Sequence, residues 1–304
     1  MELNHQHSHA GIGRALFFSL ILNTAFVILE AIAAWRAGSL ALLSDAGHNF
    51  TDAFALLLAA IAVYLAPRPG DHVKTFGYQR AGVLAAFVNA LTLVVLAGFL
   101  FYESYQRLLH PQVVAEMTMI VVATIGLAVN LTIVWGLGGH EHDLNVRAAW
   151  MHMLGDAASS AGIIAGAIAI RLTGWQVIDP ALSILIGIAI VWSAWGIIKD
   201  SLNILLEGLP KGLKLSEVTS QMSQVPGVID VHDLHIWTLG SQAHALSCHV
   251  LIEDMPPSAS DTILREINQV LCDRFAIHHT TIQFEHARCA LAETHCTVAR
   301  QHQH

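Results

Sequence analysis

The chain has 304 residues, of which 54% are hydrophobic and only 12% are charged. That charged fraction is about half of what a soluble globular domain carries, so the composition argues against a soluble fold. The net charge of −8 argues equally against a basic surface that binds nucleic acid. Histidine stands out, because 19 histidines outnumber the 15 lysines and arginines, and histidine is the commonest ligand of transition metals.

Six apolar segments dominate the chain before about residue 200. They cover residues 15–35, 40–66, 81–101, 117–137, 148–170 and 178–198. Each is near or above the ~20 helical residues that cross a hydrocarbon layer of ~30 Å, where the backbone must hydrogen-bond internally. The sequence therefore predicts a polytopic α-helical membrane protein, with six transmembrane helices in a domain over residues 15–208. The first segment contains Glu30 and lacks a small-residue cleavage site, so we do not interpret it as a signal peptide.

The positive charges that flank these segments predict their orientation. Eight lysines and arginines fall on one side of the membrane and three on the other. The side with the excess is expected to face the cytoplasm, which places both termini there. The eight are Arg14, Arg68, Lys74, Arg80, Arg147, Lys199, Lys211 and Lys214, and the three are Arg36, Arg107 and Arg171.

A small cytoplasmic domain is predicted to follow, over residues 209–287. Its apolar periodicity predicts, in chain order, a helix, two strands, a second helix and a third strand. These elements cover residues 213–225, 228–238, 243–252, 258–275 and 280–284. The order α-β-β-α-β is typical of a compact α+β domain. The four cysteines form no CxxC pair, and in the cytoplasm they should remain free thiols.

Ionisable residues occur inside two of the apolar segments, where they are costly and usually mark a site. Asp45, His48 and Asp52 fall on one face of the second predicted helix, because they are three and four residues apart. The fifth predicted helix carries His152 and Asp156, again four residues apart. The pattern HxxxD thus occurs twice in membrane-spanning segments.

Two such helices that face each other would supply two imidazoles and two carboxylates to one point. This donor set suits tetrahedral Zn²⁺, and the carboxylates cancel the charge of the ion in a low-dielectric setting. The alternative is that each pair is a local hydrogen bond within a helix bundle. Asp45 has three interpretations. It could be a fifth ligand, it could form a hydrogen bond that closes the opening at the membrane surface, or it could hold His48 in place. We favour the last.

Several longer motifs resemble one known family. They are SLALLSDAGH at 39–48 through Asp52, TFGYQR at 75–80, LNVRAA at 144–149 through Asp156, DP at 179–180, VHDLHIW at 231–237 and TIQFE at 281–285. In their order and their coverage of residues 14–286 they resemble the cation diffusion facilitator family, and within it the bacterial zinc exporters.

The resemblance implies six spans, a metallochaperone-like cytoplasmic domain and a homodimer that exchanges a divalent cation for protons. It implies a transport site formed by His48, Asp52, His152 and Asp156, in which the first histidine favours zinc over cadmium. It also implies a structural or regulatory zinc site in the cytoplasmic domain, formed by His232, His249, His278 and Glu285. The alternative is that these three histidines are surface or core residues of a domain that dimerises by packing alone.

Other possible ligands lie in connections and tails. Asp71 and His72 could form a weak interfacial site between the second and third spans. The predicted cytoplasmic tails, 1–14 and 288–304, hold further metal-binding side chains that either capture zinc or bind it incidentally. These are His5, His7, His9, Cys289, His295 and Cys296.

The function expected from the sequence is proton-coupled export of Zn²⁺ across a bacterial inner membrane. Zn²⁺ and protons would compete for the same side chains, because a metal ligand must be unprotonated. The expected partners are divalent metal ions, protons, the lipid bilayer and a second copy of the chain. One alternative is a membrane-embedded zinc sensor. Another is an intramembrane zinc hydrolase, which is disfavoured because the sequence lacks the HExxH motif.

Overall fold

The computed structural model describes residues 24–66, 68–137, 144–240 and 243–287. The predicted tails, with His5, His7, His9, Cys289, His295 and Cys296, lie outside these residues. The chain forms two compact units. Among the described residues, one comprises those up to Leu58 together with those of Val88–Ile198, and the other comprises those of Ala59–Phe87 and those from Lys199 onward.

Long apolar helices make up the first two thirds of the described chain. Helix α1 is described over residues 24–37. It is followed by α2 (Leu40–Leu65), α3 (Ala81–Leu109), α4 (Glu116–Leu137), α5 (Leu144–Thr173) and α6 (Ile178–Leu205). Within the described residues, five helices, α2 to α6, are long and apolar enough to span a membrane. The first predicted span begins outside the described residues, and α1 is its described part.

Small side chains let the membrane helices pack closely. A buried cluster of Ala34, Ala41, Met119, Ile163 and Ala167 joins helices α1, α2, α4 and α5. The α5 residue Gly166 packs directly on α6, since a Cβ atom there would lie 2.0 Å from Cδ1 of Leu182. Such close approach is how helices associate in lipid, where apolar burial gives little driving force.

Asp179 of α6 is buried and acts as the N-terminal cap of α2. Its Oδ2 accepts a hydrogen bond from the Leu40 backbone N–H at 2.7 Å, and its Oδ1 accepts one from the Ala41 N–H at 3.2 Å. The Ser39 hydroxyl donates to Oδ1 as well, at 2.5 Å. A carboxylate at a helix N-terminus accepts hydrogen bonds from unpaired N–H groups and interacts favourably with the positive end of the helix dipole. Asp179 therefore fixes where α2 begins relative to α6.

We expect Asp179→Ala to lower the free energy of unfolding by about 1–2 kcal/mol, because a cap and its helix-dipole interaction are lost. Thermal unfolding of the detergent-solubilised chain would measure this loss. Asp200→Ala is the matched control on the same helix, because Asp200 is partly exposed and its ion pair among the described residues is with Lys211. Equal melting temperatures for Asp179→Ala and the wild type would contradict the capping role.

The second unit contains the α+β domain in the predicted element order. Its elements are α7 (Leu215–Ser223), β1 (Val228–Gly240), β2 (Ala243–Ile252), α8 (Pro257–Phe275) and β3 (Ile277–Glu285). Strand β2 is central, antiparallel to β1 and parallel to β3. Both helices pack on the sheet through one apolar core that includes Met222, Leu246 and Ile267.

The strand register brings residues from all three strands together. His232 of β1 pairs with His249 of β2, and His249 pairs in turn with Gln283 of β3. Cys248, beside His249, is buried, and burial raises the pKa of its thiol to about 12. Cys248 and Cys272 are both free thiols.

Candidate metal sites

Helices α2 and α5 bring the two HxxxD pairs face to face. His48 Nε2 lies 3.6 Å from Oδ2 of Asp52 on its own helix and 3.5 Å from Oδ1 of Asp156 on the other. His152 Nε2 lies 3.2 Å from Asp52 Oδ2 and 3.7 Å from Asp156 Oδ2. The two imidazole rings meet edge to face with centroids 5.8 Å apart. Each imidazole therefore contacts both carboxylates.

The four His–Asp separations are close to the distance between two donor atoms on a tetrahedral zinc ion. Two donor atoms bound to one tetrahedral ion at ~2.0–2.1 Å lie about 3.4 Å apart, and the four His–Asp separations run from 3.2 to 3.7 Å. The donor atoms of His48, Asp52 and His152 also lie within 4.8 Å of one another. Asp156 is the most buried of the four, with 6% of its surface exposed. Asp156 lies outside the cluster formed by the donor atoms of His48, Asp52 and His152, and it approaches His48 with Oδ1 and His152 with Oδ2.

Asp45 lies one turn before His48 but faces different partners. Its Oδ1 accepts a hydrogen bond from the Ser159 hydroxyl at 2.8 Å, and its Oδ2 lies 3.5 Å from the hydroxyl of Ser160. Both serines belong to α5, so Asp45 ties together the two helices that carry the HxxxD pairs. Among the described hydrogen bonds, none joins Asp45 to His48. The hydrogen bonds of Asp45 thus link α2 to α5 one turn away from His48.

A second cluster of possible ligands lies on one face of the cytoplasmic sheet. His249 Nδ1 is 2.7 Å from Glu285 Oε1, and His232 Nε2 is 3.3 Å from Glu285 Oε2. The His232 and His249 rings lie 5.6 Å apart. Although His232 Nε2 and Glu285 Oε2 are close, neither they nor His232 Nδ1 make a hydrogen bond with a described residue, and all three atoms are buried. Buried polar atoms that converge without partners fit a metal ion, which would satisfy them.

His278, which the sequence analysis placed in this cytoplasmic site, lies elsewhere. It is seven residues from Glu285 on strand β3, about 23 Å at ~3.3 Å per residue. Its Nδ1 is 3.3 Å from Sγ of the exposed Cys272. His278 sits at the irregularity in the pairing of β2 with β3. The structure thus brings together three of the four expected side chains.

Asp230, which was not among the predicted site residues, lies beside this cluster. Its Oδ2 lies 3.6 Å from His232 Nδ1, on the far side of the ring from Glu285. A carboxylate at this place orients a metal-binding imidazole and raises its basicity. The available signal was the two-residue spacing, since residues two apart on a strand share a face.

We expect Asp230→Ala to weaken zinc binding at the cytoplasmic site by about tenfold, because His232 loses the carboxylate that orients its ring. Zinc titration of the full chain would measure the change. Glu253→Ala is the control, since Glu253 is exposed just after the same sheet. Unchanged affinity in Asp230→Ala would mean that Asp230 does not support the site.

Asp71, which was predicted to form a weak site with His72, closes a turn in the structure. The Asp71 Oδ1 accepts hydrogen bonds from the backbone N–H groups of Val73 and Lys74, at 2.7 and 2.6 Å. These bonds hold the pKa of Asp71 below its usual range. The carboxylate closes an Asx-type turn in the connection between α2 and α3.

Comparison with known proteins agrees with both parts of the fold. Residues 16–206 match the family described as the cation efflux transmembrane domain. Residues 210–287 match the family described as the cation efflux protein cytoplasmic domain. The chain belongs to the cation efflux family. This cation efflux protein is therefore a multi-pass membrane transporter with a cytoplasmic C-terminal domain, and not an enzyme.

Curated relatives match this cation efflux protein over nearly its full length. It is 41% identical to "Zinc transporter ZitB" of Pectobacterium atrosepticum, over 100% of this chain and 94% of the relative. It is 43% identical to "Metal cation efflux system protein CzcD" of Cupriavidus metallidurans, over 96% and 93%. It is 37% identical to "Cadmium, cobalt and zinc/H(+)-K(+) antiporter" of Bacillus subtilis, over 99% and 100%.

Proposed function

We propose that this protein exports Zn²⁺ from the cytoplasm in exchange for protons, through His48, Asp52, His152 and Asp156. The observation that carries the proposal is the contact of each imidazole with both carboxylates, at 3.2–3.7 Å. Relatives whose names state zinc transport and proton antiport support it. The donor set of two imidazoles and two carboxylates balances the charge of one dication.

Competition between Zn²⁺ and protons would couple the two fluxes. When the site faces the cytoplasm, Zn²⁺ binds as the imidazoles and carboxylates lose protons. When the site opens to the other side, protons reclaim the ligands and the metal leaves. A lower pH outside then drives export. The two ligand pairs lie on separate helices, so a shift of α2 against α5 would change the coordination geometry directly.

The donor types favour zinc among the metals named for the relatives. Imidazole nitrogen suits Zn²⁺, whereas sites built from carboxylates and water suit Mg²⁺, Ca²⁺ or Mn²⁺. Cadmium and cobalt are the secondary cargo in this proposal, because geometry and ligand type set a preference rather than a strict choice. We propose the order of transport Zn²⁺ before Cd²⁺ and Co²⁺, with Mn²⁺ last.

We also propose that His232, His249 and Glu285 bind a second zinc ion in the cytoplasmic domain. Three protein ligands leave one coordination position of a tetrahedral ion open. A zinc ion bound there would exchange more readily than one in a closed structural site, which fits a regulatory role. The working form is proposed to be a homodimer in a bacterial inner membrane, with both termini in the cytoplasm.

Reconstitution into proteoliposomes tests the transport function. A pH gradient is imposed across the vesicle membrane. A zinc-sensitive dye then reports zinc flux, and a pH-sensitive dye reports proton flux in the same vesicles. Cd²⁺, Co²⁺ and Mn²⁺ are compared under the same gradient. Zinc movement that ignores the pH gradient would contradict proton exchange, and the absence of any zinc movement would contradict transport.

A further inference from the structure

Two acidic side chains that are not among the four proposed metal ligands lie together among the membrane helices. Glu30 of α1 is fully buried, and Asp45 of α2 is 3% exposed. Their carboxyl groups lie within hydrogen-bonding reach of each other. Two carboxylates this close and this deep in a helix bundle repel each other strongly unless a positive charge lies between them.

The surroundings supply donors for three of the four carboxyl oxygens. Asn49 Nδ2 donates to Glu30 Oε2 at 3.1 Å. Ser159 and Ser160 approach the two oxygens of Asp45, at 2.8 and 3.5 Å. The fourth oxygen, Oε1 of Glu30, is buried and has no hydrogen-bond donor among the described residues. A proton held between Glu30 and Asp45 would supply the missing partner.

No basic side chain fills this role in the part of the chain that the structure describes. The lysine and arginine ion pairs found there involve Glu207, Glu103 and Asp200. The other ionisable groups that act on the pair are Asp156 and His48, on α5 and α2. Asp156 adds negative charge, so it strengthens the need for a proton when no metal is bound.

We propose that Glu30 and Asp45 share one proton, and that this proton leaves when Zn²⁺ binds and returns when the metal departs. The pair is a proton site separate from the four metal ligands. Binding of Zn²⁺ adds two positive charges beside Asp156 and His48, and this favours the fully ionised pair. The carboxyl O–H bond then breaks, the proton passes to water, and the pair keeps the bonding electrons as a second negative charge.

Sharing of a proton explains the geometry better than a bound metal ion does. The pair offers few oxygen ligands for a hard cation, which takes six or more. A proton needs only the two facing oxygens, as in other carboxyl pairs that share one proton because both cannot ionise at close range. This inference rests on the proposed transport function, since it assigns a second source of the exchanged protons.

The test counts protons released for each zinc ion bound to the full chain in detergent. Calorimetric zinc titration in two buffers with different protonation enthalpies gives this number. All variants carry Glu285→Ala, which removes the proposed cytoplasmic site. Glu30→Gln should bind zinc with an affinity within about threefold of its parent, but release about one proton fewer. Glu103→Gln, in which another glutamate of a membrane helix is changed, is the matched control and should release as many protons as the parent.

Asp45→Asn provides a second variant, and it should also release about one proton fewer. Infrared difference spectra add a measurement on the unmodified chain: zinc should remove a carbonyl band of a protonated carboxyl group, and Glu30→Gln should weaken that loss. Equal proton release by Glu30→Gln and its parent overturns the shared proton, as does a spectrum without the band loss. Loss of zinc binding in both variants also overturns it, because the pair would then serve the metal directly.

The same titrations separate this inference from the proposed function. If the Glu285→Ala parent binds zinc and Asp156→Ala in that background does not, the transport site stands whatever Glu30→Gln shows. If Asp156→Ala binds zinc as its parent does, the proposed transport site fails.

Discussion

Asp156→Ala is expected to abolish zinc-driven proton flux in proteoliposomes. Asp156 is the most buried of the four proposed ligands, and its two oxygens face both imidazoles. Without it, three ligands with a single negative charge would face a dication in a low-dielectric setting. Removal of one partner from a buried charged group costs about 3–5 kcal/mol, which is at least a hundredfold in affinity.

The measurement records proton release inside vesicles after zinc addition. Glu116→Ala is the matched control, since Glu116 begins a neighbouring membrane helix and lies outside the site. Size-exclusion chromatography should give the same oligomeric state for wild type and both variants, because Asp156 lies within one copy of the chain. Flux at the wild-type level in Asp156→Ala would remove the claim that this residue binds the transported ion.

Zinc affinity at the transmembrane site is expected to fall steeply as the pH is lowered. Imidazoles titrate near neutral pH, and both must be unprotonated to bind metal. In the pH range where both imidazoles are protonated, each bound proton lowers the zinc affinity about tenfold per pH unit. The two protons together therefore lower it about a hundredfold per pH unit. A shared proton at Glu30 and Asp45 would steepen this dependence further.

Zinc titrations of the Glu285→Ala chain across several pH values would measure the slope. His152→Gln removes one titrating imidazole, so it should lower the overall affinity and reduce the slope by about one proton. An affinity that does not change between neutral and acidic pH would contradict proton competition, and with it the coupling of zinc export to the proton gradient.

Features that depend on local patterns were predictable from the sequence. The length of an apolar segment decides whether it spans a membrane, and the spacing of HxxxD places both side chains on one helix face. For the same reason the element order of the cytoplasmic domain could be read from alternation and helical periodicity. The four proposed transport ligands follow from these local rules together with one assumption, that α2 and α5 face each other.

Features that depend on which surfaces meet could not be predicted. Asp45 was expected to hold His48, but it contacts Ser159 and Ser160, because helix packing decides which neighbour a side chain reaches. Asp179 caps a helix that lies 140 residues earlier in the chain.

The sequence by itself determined the membrane spans, the domain order and the paired His–Asp motifs, because each is set by residues a few positions apart. Only the tertiary structure decided that Asp179 caps α2, that Asp45 reaches Ser159, and that Glu285 meets His232 and His249. Strand register and helix contacts join residues distant in sequence, and no local periodicity encodes them.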